Sequence, residues 1–260
     1  MPKQGKTMLA SEIDVDKIRY SDLKSLDNGG KIAYVNYGDD GMNSIYLQTP
    51  ELTFPFDSQF YTEGKDSGKF ACKVSLNMEG NEQVKQFTEK MMEIDSKLIA
   101  DAQKNSMPWF KKKTMSEELI DEKFTPIVRH YKDPETGEQN GRFPPQMGFK
   151  VVQRNGNYQC KFFDESAKKI NVDDSDGDGY QEVSNLLGKG SSVKLLLKCN
   201  GLWFSPQGFG CTWKAEQMKV KVPETLDEYA FRDDGDGFVD DSESDDGSGE
   251  EEEVVSDDEA

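Results

Sequence analysis

Trp109-Phe110-Lys111-Lys112-Lys113 sets two aromatic rings beside three cations. Related pairings recur along the chain: Arg129, Tyr131 and Lys132 around His130; Arg154, Tyr158 and Lys161 ahead of Phe162 and Phe163; Lys194 and Lys198; Trp203 beside Phe204; Trp213 beside Lys214. Rings offer flat faces on which nucleobases stack, each stack contributing roughly 1–3 kcal/mol, while ammonium and guanidinium groups follow a phosphate backbone. The same residue types also serve as core rings and solvated lysines, and for any one ring that is the commoner use. Trp109, beside its lysine run, is the ring for which exposure weighs as much as burial.

Other chemistries find less support. His130 is the single histidine, and no GxSxG, Walker, Rossmann or HExxH pattern occurs. Gly188-Lys-Gly-Ser-Ser192 lacks the spacing of a phosphate loop. No catalytic residue and no cofactor are therefore assigned. Asp174, Asp176 and Asp178, followed by Gly179, open like a calcium loop, but the twelfth position would be Asn185 where a bidentate glutamate is needed. A solvated acidic loop is the plainer reading. Cys72, Cys160, Cys199 and Cys211 form no CxxC pair, which favours reduced, buried thiols inside a cell.

The elements that must position these side chains are mostly strands. Lys31–Tyr37 alternates, with Ile32, Tyr34 and Asn36 on one side, and Gly38–Gly41 turns it into Ser44–Thr49. Lys69–Met78 places Phe70, Cys72, Val74, Leu76 and Met78 on one face. Asn81–Gln103 is the one convincing helix: Val84, Phe87, Met91, Ile94 and Leu98 recur at helical spacing, and Asn81 caps it. Thr114-Met-Ser-Glu117 fits a capping box for a shorter helix. Met147–Arg154 and Tyr158–Phe163 flank the hairpin turn at Asn155-Gly156. Ser191–Cys199 and Gly210–Val222 are further strands, separated by turns at Asn200-Gly201 and Pro206–Gly208. Lys219 and Lys221 alternate with Met218, Val220 and Val222, which puts both lysines on a solvent-facing side. The expected fold class is mainly β with one long helix (α+β): a small antiparallel barrel with an inserted helix.

Charge divides the 260-residue chain. Asp233–Ala260 is 28 residues long and holds 15 of the 50 acidic residues, with no Lys, Arg or His. The overall net charge is -18; removing that stretch leaves 35 acidic and 32 basic residues, net -3. Such a tail buries too little apolar surface to order itself. The expected organisation is a flexible lead over 1–17, a folded body over 18–223 and an acidic disordered tail over 224–260. No apolar run of membrane-spanning length and no secretory leader is seen.

This plan resembles the OB-fold single-stranded DNA-binding proteins of the T-odd phages. Three places carry the likeness: Gly68–Met78 entering the helix at Asn81; Gly188–Leu195, Trp203 and Phe209–Trp213 through Val222; and the acidic tail. Replication proteins of large DNA viruses are a second place where such a plan is expected. The phage family ends on an aromatic residue, whereas this chain ends Asp257-Asp-Glu-Ala260. The resemblance implies an OB-fold-like barrel and sequence-independent binding of single-stranded DNA in replication, recombination or repair. The tail would compete with DNA and recruit a polymerase, primase or helicase. It further implies an intracellular site of viral replication, in host cytoplasm or nucleus, with a homodimer left open. The competing class is an acidic chaperone that holds basic proteins through the tail.

Overall fold

The computed structural model describes residues 6–223, apart from 27, 28, 42, 65, 66 and 140. The acidic tail at 224–260 lies outside the described residues, as does the start of the N-terminal lead. The first half of the body forms β1 (Thr7–Leu9), β2 (Ile18–Tyr20), β3 (Lys24–Ser25), β4 (Lys31–Ala33), β5 (Val35–Tyr37), β6 (Asn43–Ser44), β7 (Tyr46–Thr53), β8 (Gln59–Tyr61) and β9 (Lys69–Ser75). Helices α1 (Glu82–Lys104), α2 (Ser106–Phe110) and α3 (Glu117–Lys123) follow. Then come β10 (Phe124–Thr125), β11 (Val128–Arg129), β12 (Gln146–Arg154), β13 (Asn157–Tyr158) and β14 (Lys161–Phe163). A short α4 (Val183–Leu186) precedes the two longest strands, β15 (Ser192–Phe204) and β16 (Phe209–Lys221).

Among the described residues, 13 strands share one mixed sheet, and β2, β5 and β6 form a separate small one. Strand β7 pairs with β15 as well as with β9, so β7, β9, β12, β16 and β15 pair in a cycle. Two joins in that cycle are short: β7 meets β9 at Thr53↔Ser75, and β12 meets β16 at Lys150↔Lys214. The second join is parallel, as are β1–β7, β10–β16 and β14–β16. The fold is thus mainly β with one long helix, as expected, but not purely antiparallel. Parallel neighbours need a crossover of a dozen or more residues, and in each of these pairs other elements intervene along the chain.

Alternation accounts for β15 and β16. Val193, Leu195, Leu197 and Cys199 are buried, as are Trp213, Ala215, Met218 and Val220 opposite them. Lys219 and Lys221 are exposed as their alternation requires. Helix α1 buries Val84, Phe87, Met91, Ile94 and Leu98, and the Asn81 side chain accepts from the Val84 N–H at 3.1 Å. At Asn155-Gly156 both residues have positive φ (51° and 79°), which is what a two-residue turn between β12 and β13 demands.

Several expectations are corrected. Residues 7–17 of the lead are ordered into β1 and two 3-10 turns, because β1 finds an open edge on β7. The segment 31–37 is split: β4 joins the large sheet and β5 the small one, with Tyr34 between them. Asn200-Gly201 is not a turn but a bulge inside β15. Ser116, not Thr114, caps α3, accepting from the Leu119 N–H at 3.4 Å. No helix among the described residues is long and apolar enough to cross a membrane.

One buried charge links helix to sheet. Asp95 on α1 accepts the Ile127 N–H at 2.9 Å to each oxygen and the Val128 N–H at 3.1 Å. Burial pushes its pKa up to about 6, against the pull of those donors and of Arg129. An unfolded aspartate titrates near about 3.9. Between those values the folded chain holds the proton more tightly, so stability falls as pH rises from about 4 to about 6. Asp95→Asn is expected to flatten that fall, worth on the order of 3 kcal/mol, in urea unfolding compared at about pH 4 and pH 7.

Candidate nucleic-acid interface

The outward face of the large sheet carries the cations. Directly paired residues on neighbouring strands share a face, so the pairings Tyr46↔Lys198, Lys198↔Lys214 and Lys214↔Lys150 place four side chains in one row across β7, β15, β16 and β12. The Lys198 Nζ lies 5.4 Å from the centre of the Tyr46 ring. A second row sets Lys194 opposite Lys219, with Glu51 on its other side. Between the rows, Leu196 and Gln217 pair, and Lys161 pairs with Gln217 from β14. On β12 and β9, Gly148 faces Lys73. A Cβ at Gly148 would stand 4.0 Å from an Arg129 guanidinium nitrogen, so Arg129 reaches over the same face. Arg154 continues the outward positions of β12. Among the described residues, acids beside these cations include Glu51 and Glu216, which pairs with Lys214 at 2.8 Å.

Three lysine–lysine oppositions on adjacent strands work against the fold, since like charges directly across a strand pair are destabilising. A face shaped by stability alone would alternate sign. Strands lie about 4.8 Å apart, within a Debye length of about 8 Å at physiological salt, so these cations act on a polyanion together.

Beside this strip is a cleft of about 770 Å³ lined by Lys24, Ile32, Tyr34, Asn36, Lys198 and Asn200, among others. Tyr34 is 42% exposed, and the Lys24 Nζ stands 5.0 Å from its ring centre. Ser21 holds the Tyr34 backbone from both ends: its Oγ accepts the Tyr34 N–H at 2.9 Å, and its own N–H donates to the Tyr34 carbonyl at 3.0 Å. Trp203, half-buried, pairs with Ile32 on β4 and so lies on the cleft side of the sheet. The missing Cβ of Gly210 gives its indole room, at 3.3 Å.

The structure therefore gathers Arg129, Arg154, Lys161, Lys194, Lys198, Trp203 and Lys214 on one face and leaves other expected residues elsewhere. Trp109 is buried, packed edge-on to Tyr20 at 5.0 Å and against Phe204 at 5.5 Å. Phe110 packs on Phe204 and Phe209. Lys111, Lys112 and Lys113 are exposed where α2 ends with Lys111 in the left-handed conformation (φ 58°), and Lys112 lines a pocket together with Trp109 and Phe110. Tyr158 packs on Phe70 and Phe162, and burial pushes its hydroxyl pKa up. Trp213 is core. Tyr131 pairs edge-on with the exposed Phe143 at 5.0 Å in the loop between β11 and β12, where Lys132 is also exposed.

Five contributors were not expected from sequence: Lys24, Tyr34, Tyr46, Lys73 and Lys150. The alternation that put Ile32, Tyr34 and Asn36 on one side was the available signal for Tyr34, since all three line the cleft. Lys150 joins the row only through its pairing with Lys214, 64 positions later.

The acidic loop spends its groups internally. The Asp173 Oδ1 accepts the Tyr158 N–H at 2.8 Å, and the Asp174 Oδ1 accepts the Asp176 N–H at 3.3 Å. Among the described residues no group of three or more His, Cys, Asp or Glu is placed to hold a metal. All four cysteines are free thiols. Burial pushes the Cys72 and Cys160 thiols up, and the hydrogen bond with Cys199, with burial behind it, does so for Cys211.

No protein-family model matches the chain, and no curated protein sequence matches it. Among solved structures, it is similar to gp2.5, a single-stranded DNA-binding protein encoded by bacteriophage T7, with a TM-score of 0.42 and 12% identity over 72% of this chain and 98% of that one. It is also similar to the single-stranded DNA-binding protein of bacteriophage Enc34 in complex with ssDNA, with a TM-score of 0.41 and 8% identity over 80% of this chain and 97% of that one. At such TM-scores these likenesses are weak, and the functional reading is carried by the chain's own surface.

Proposed function

We propose that the body binds single-stranded DNA largely independently of sequence, and that the acidic tail competes with DNA for the cationic face. The observation that carries this is the row of opposed lysines, Lys150, Lys214 and Lys198, ending on Tyr46 and adjoining the cleft at Tyr34. Cations that repel one another in the free protein gain from a bound polyanion, which releases its own counterions. Exposed or half-buried rings beside them supply stacking for bases. The cycle of five strands supports reading the body as a small OB-fold-like barrel, an architecture whose outer face and loops bind oligonucleotides. Displaced by DNA, the tail is free to recruit basic replication proteins.

Were the 28 residues of the acidic stretch to behave as a random coil, they would span roughly 30 Å, about the width of a small domain. Truncation after Arg232 is expected to raise affinity for a single-stranded oligonucleotide about tenfold at low salt, the gain shrinking as salt screens the tail. Gel-shift titrations across a salt series test this. A truncated protein that bound no single-stranded DNA at low salt would sink the reading; one whose affinity did not change would remove the competition by the tail.

A further inference from the structure

We propose that the cleft beside β4 receives one nucleobase of the bound strand, stacked on Tyr34 and read along its edge by the Asn36 and Asn200 amides. This rests on the nucleic-acid reading above and adds to it a base preference at one position.

Three observations lead there. The first is a prepared platform. Tyr34 is held at both backbone groups by Ser21 and pressed from behind by β15, where Gly201 comes so close that a Cβ would lie 3.1 Å from the Tyr34 Cα. Lys24 lies over the ring, yet 42% of the residue faces solvent. A fixed, exposed ring loses little freedom when a base stacks on it.

The second is a pair of unused amides. Asn36 and Asn200 are half-buried and line the cleft. Among the described residues neither side-chain amide has a hydrogen-bond partner. Neither is among the buried side-chain groups left without a partner, so both amides are open to solvent and to a ligand in the cleft. An amide carries two donors and an acceptor side by side, and base edges present alternating donors and acceptors.

The third is the bulge. Cys199 pairs with Trp213 and Gly201 with Thr212, so Asn200 is the extra residue without a partner on β16. Bulges re-aim a side chain at the cost of local pairing, and this one stands at the cleft. Lys24 and Lys198, also on its lining, are placed to meet the phosphates on either side of the base.

The test uses the full chain and fluorescent 12-residue homopolymers of dT, dC and dA in anisotropy titrations. The wild type is expected to favour one homopolymer by about tenfold, the worth of one or two amide–base hydrogen bonds. Asn36→Ala with Asn200→Ala is expected to level the three to within about twofold. Asn36→Asp, which replaces two donors by acceptors, is expected to change which base is favoured. Tyr34→Leu weakens all three. Should the double variant fail to fold, Asn200→Ala alone carries the comparison. Equal binding of the three by wild type overturns the proposal and leaves single-strand binding standing, as does a preference that survives loss of both amides. If wild type bound none of them, the underlying reading would fall and this one with it.

Discussion

Lys150→Glu, Lys198→Glu and Lys214→Glu together are expected to lower affinity for a single-stranded oligonucleotide by on the order of 100- to 1,000-fold at low salt. Each replaced lysine removes about one phosphate contact, so the slope of log K against log [salt] should flatten by about 2, at about 0.7 per phosphate. Anisotropy titrations at several salt concentrations read both quantities. A triple variant within about threefold of wild type would show that the strip is not where DNA binds. Lys214→Glu alone separates binding from folding. It sets a glutamate between Lys150 and Lys198, turning two repulsive oppositions into attractive ones at the loss of the pair with Glu216. Cross-strand pairs contribute roughly 0.2–1 kcal/mol each. The unfolding midpoint is therefore expected to hold or rise while DNA affinity drops about tenfold.

The second large effect is at Gly201. Its φ is +131°, and a Cβ there would stand 2.5 Å from the Ala33 carbonyl oxygen. The atoms that Cβ meets are backbone, so β4 must move away from β15 for alanine to fit. Gly201→Ala is expected to destabilise the body by about 3 kcal/mol or more, through strain at a positive φ and loss of the β4 pairing. Urea unfolding measures it, with Asn200→Ala next door as a control expected to stay within about 1 kcal/mol. Displacement of β4 also carries Tyr34 away, so residual binding by the folded fraction should lose its stacking component. A Gly201→Ala protein as stable as wild type would contradict the close approach of these strands.

Local signals and long-range ones fared differently. Helix α1 was legible because five apolar residues and an asparagine cap act within one element. The β12–β13 hairpin was legible because Asn155-Gly156 satisfies a backbone demand on the spot. The burial of Trp109 was not, because it hangs on Lys111 entering the left-handed region and on Tyr20 arriving from the far end of the chain. Asn200-Gly201 has the composition of a turn, and only its close neighbour Ala33 makes it a bulge. The site shares that pattern. Lys194, Lys198 and Lys214 could be named singly as outward lysines, but their alignment with Lys150 and Tyr46 exists only once strands far apart in sequence pair. A fold held largely by non-local pairing hides its surface from any window of sequence.

The alternation of β15 and β16 limits how such a surface can change over time. Every lysine in the rows is flanked by neighbours committed to the core, such as Val193 and Leu195 around Lys194 or Leu197 and Cys199 around Lys198. Inserting or deleting one residue in either strand would send the lysines inward and the leucines out, unless a bulge absorbs the change as one does at Asn200. Exchanging one outward cation for another, or moving it two positions along, leaves the core untouched. Descendants of this chain are thus free to redraw the surface residue by residue while keeping its spacing, until spacing is all that relatives have in common.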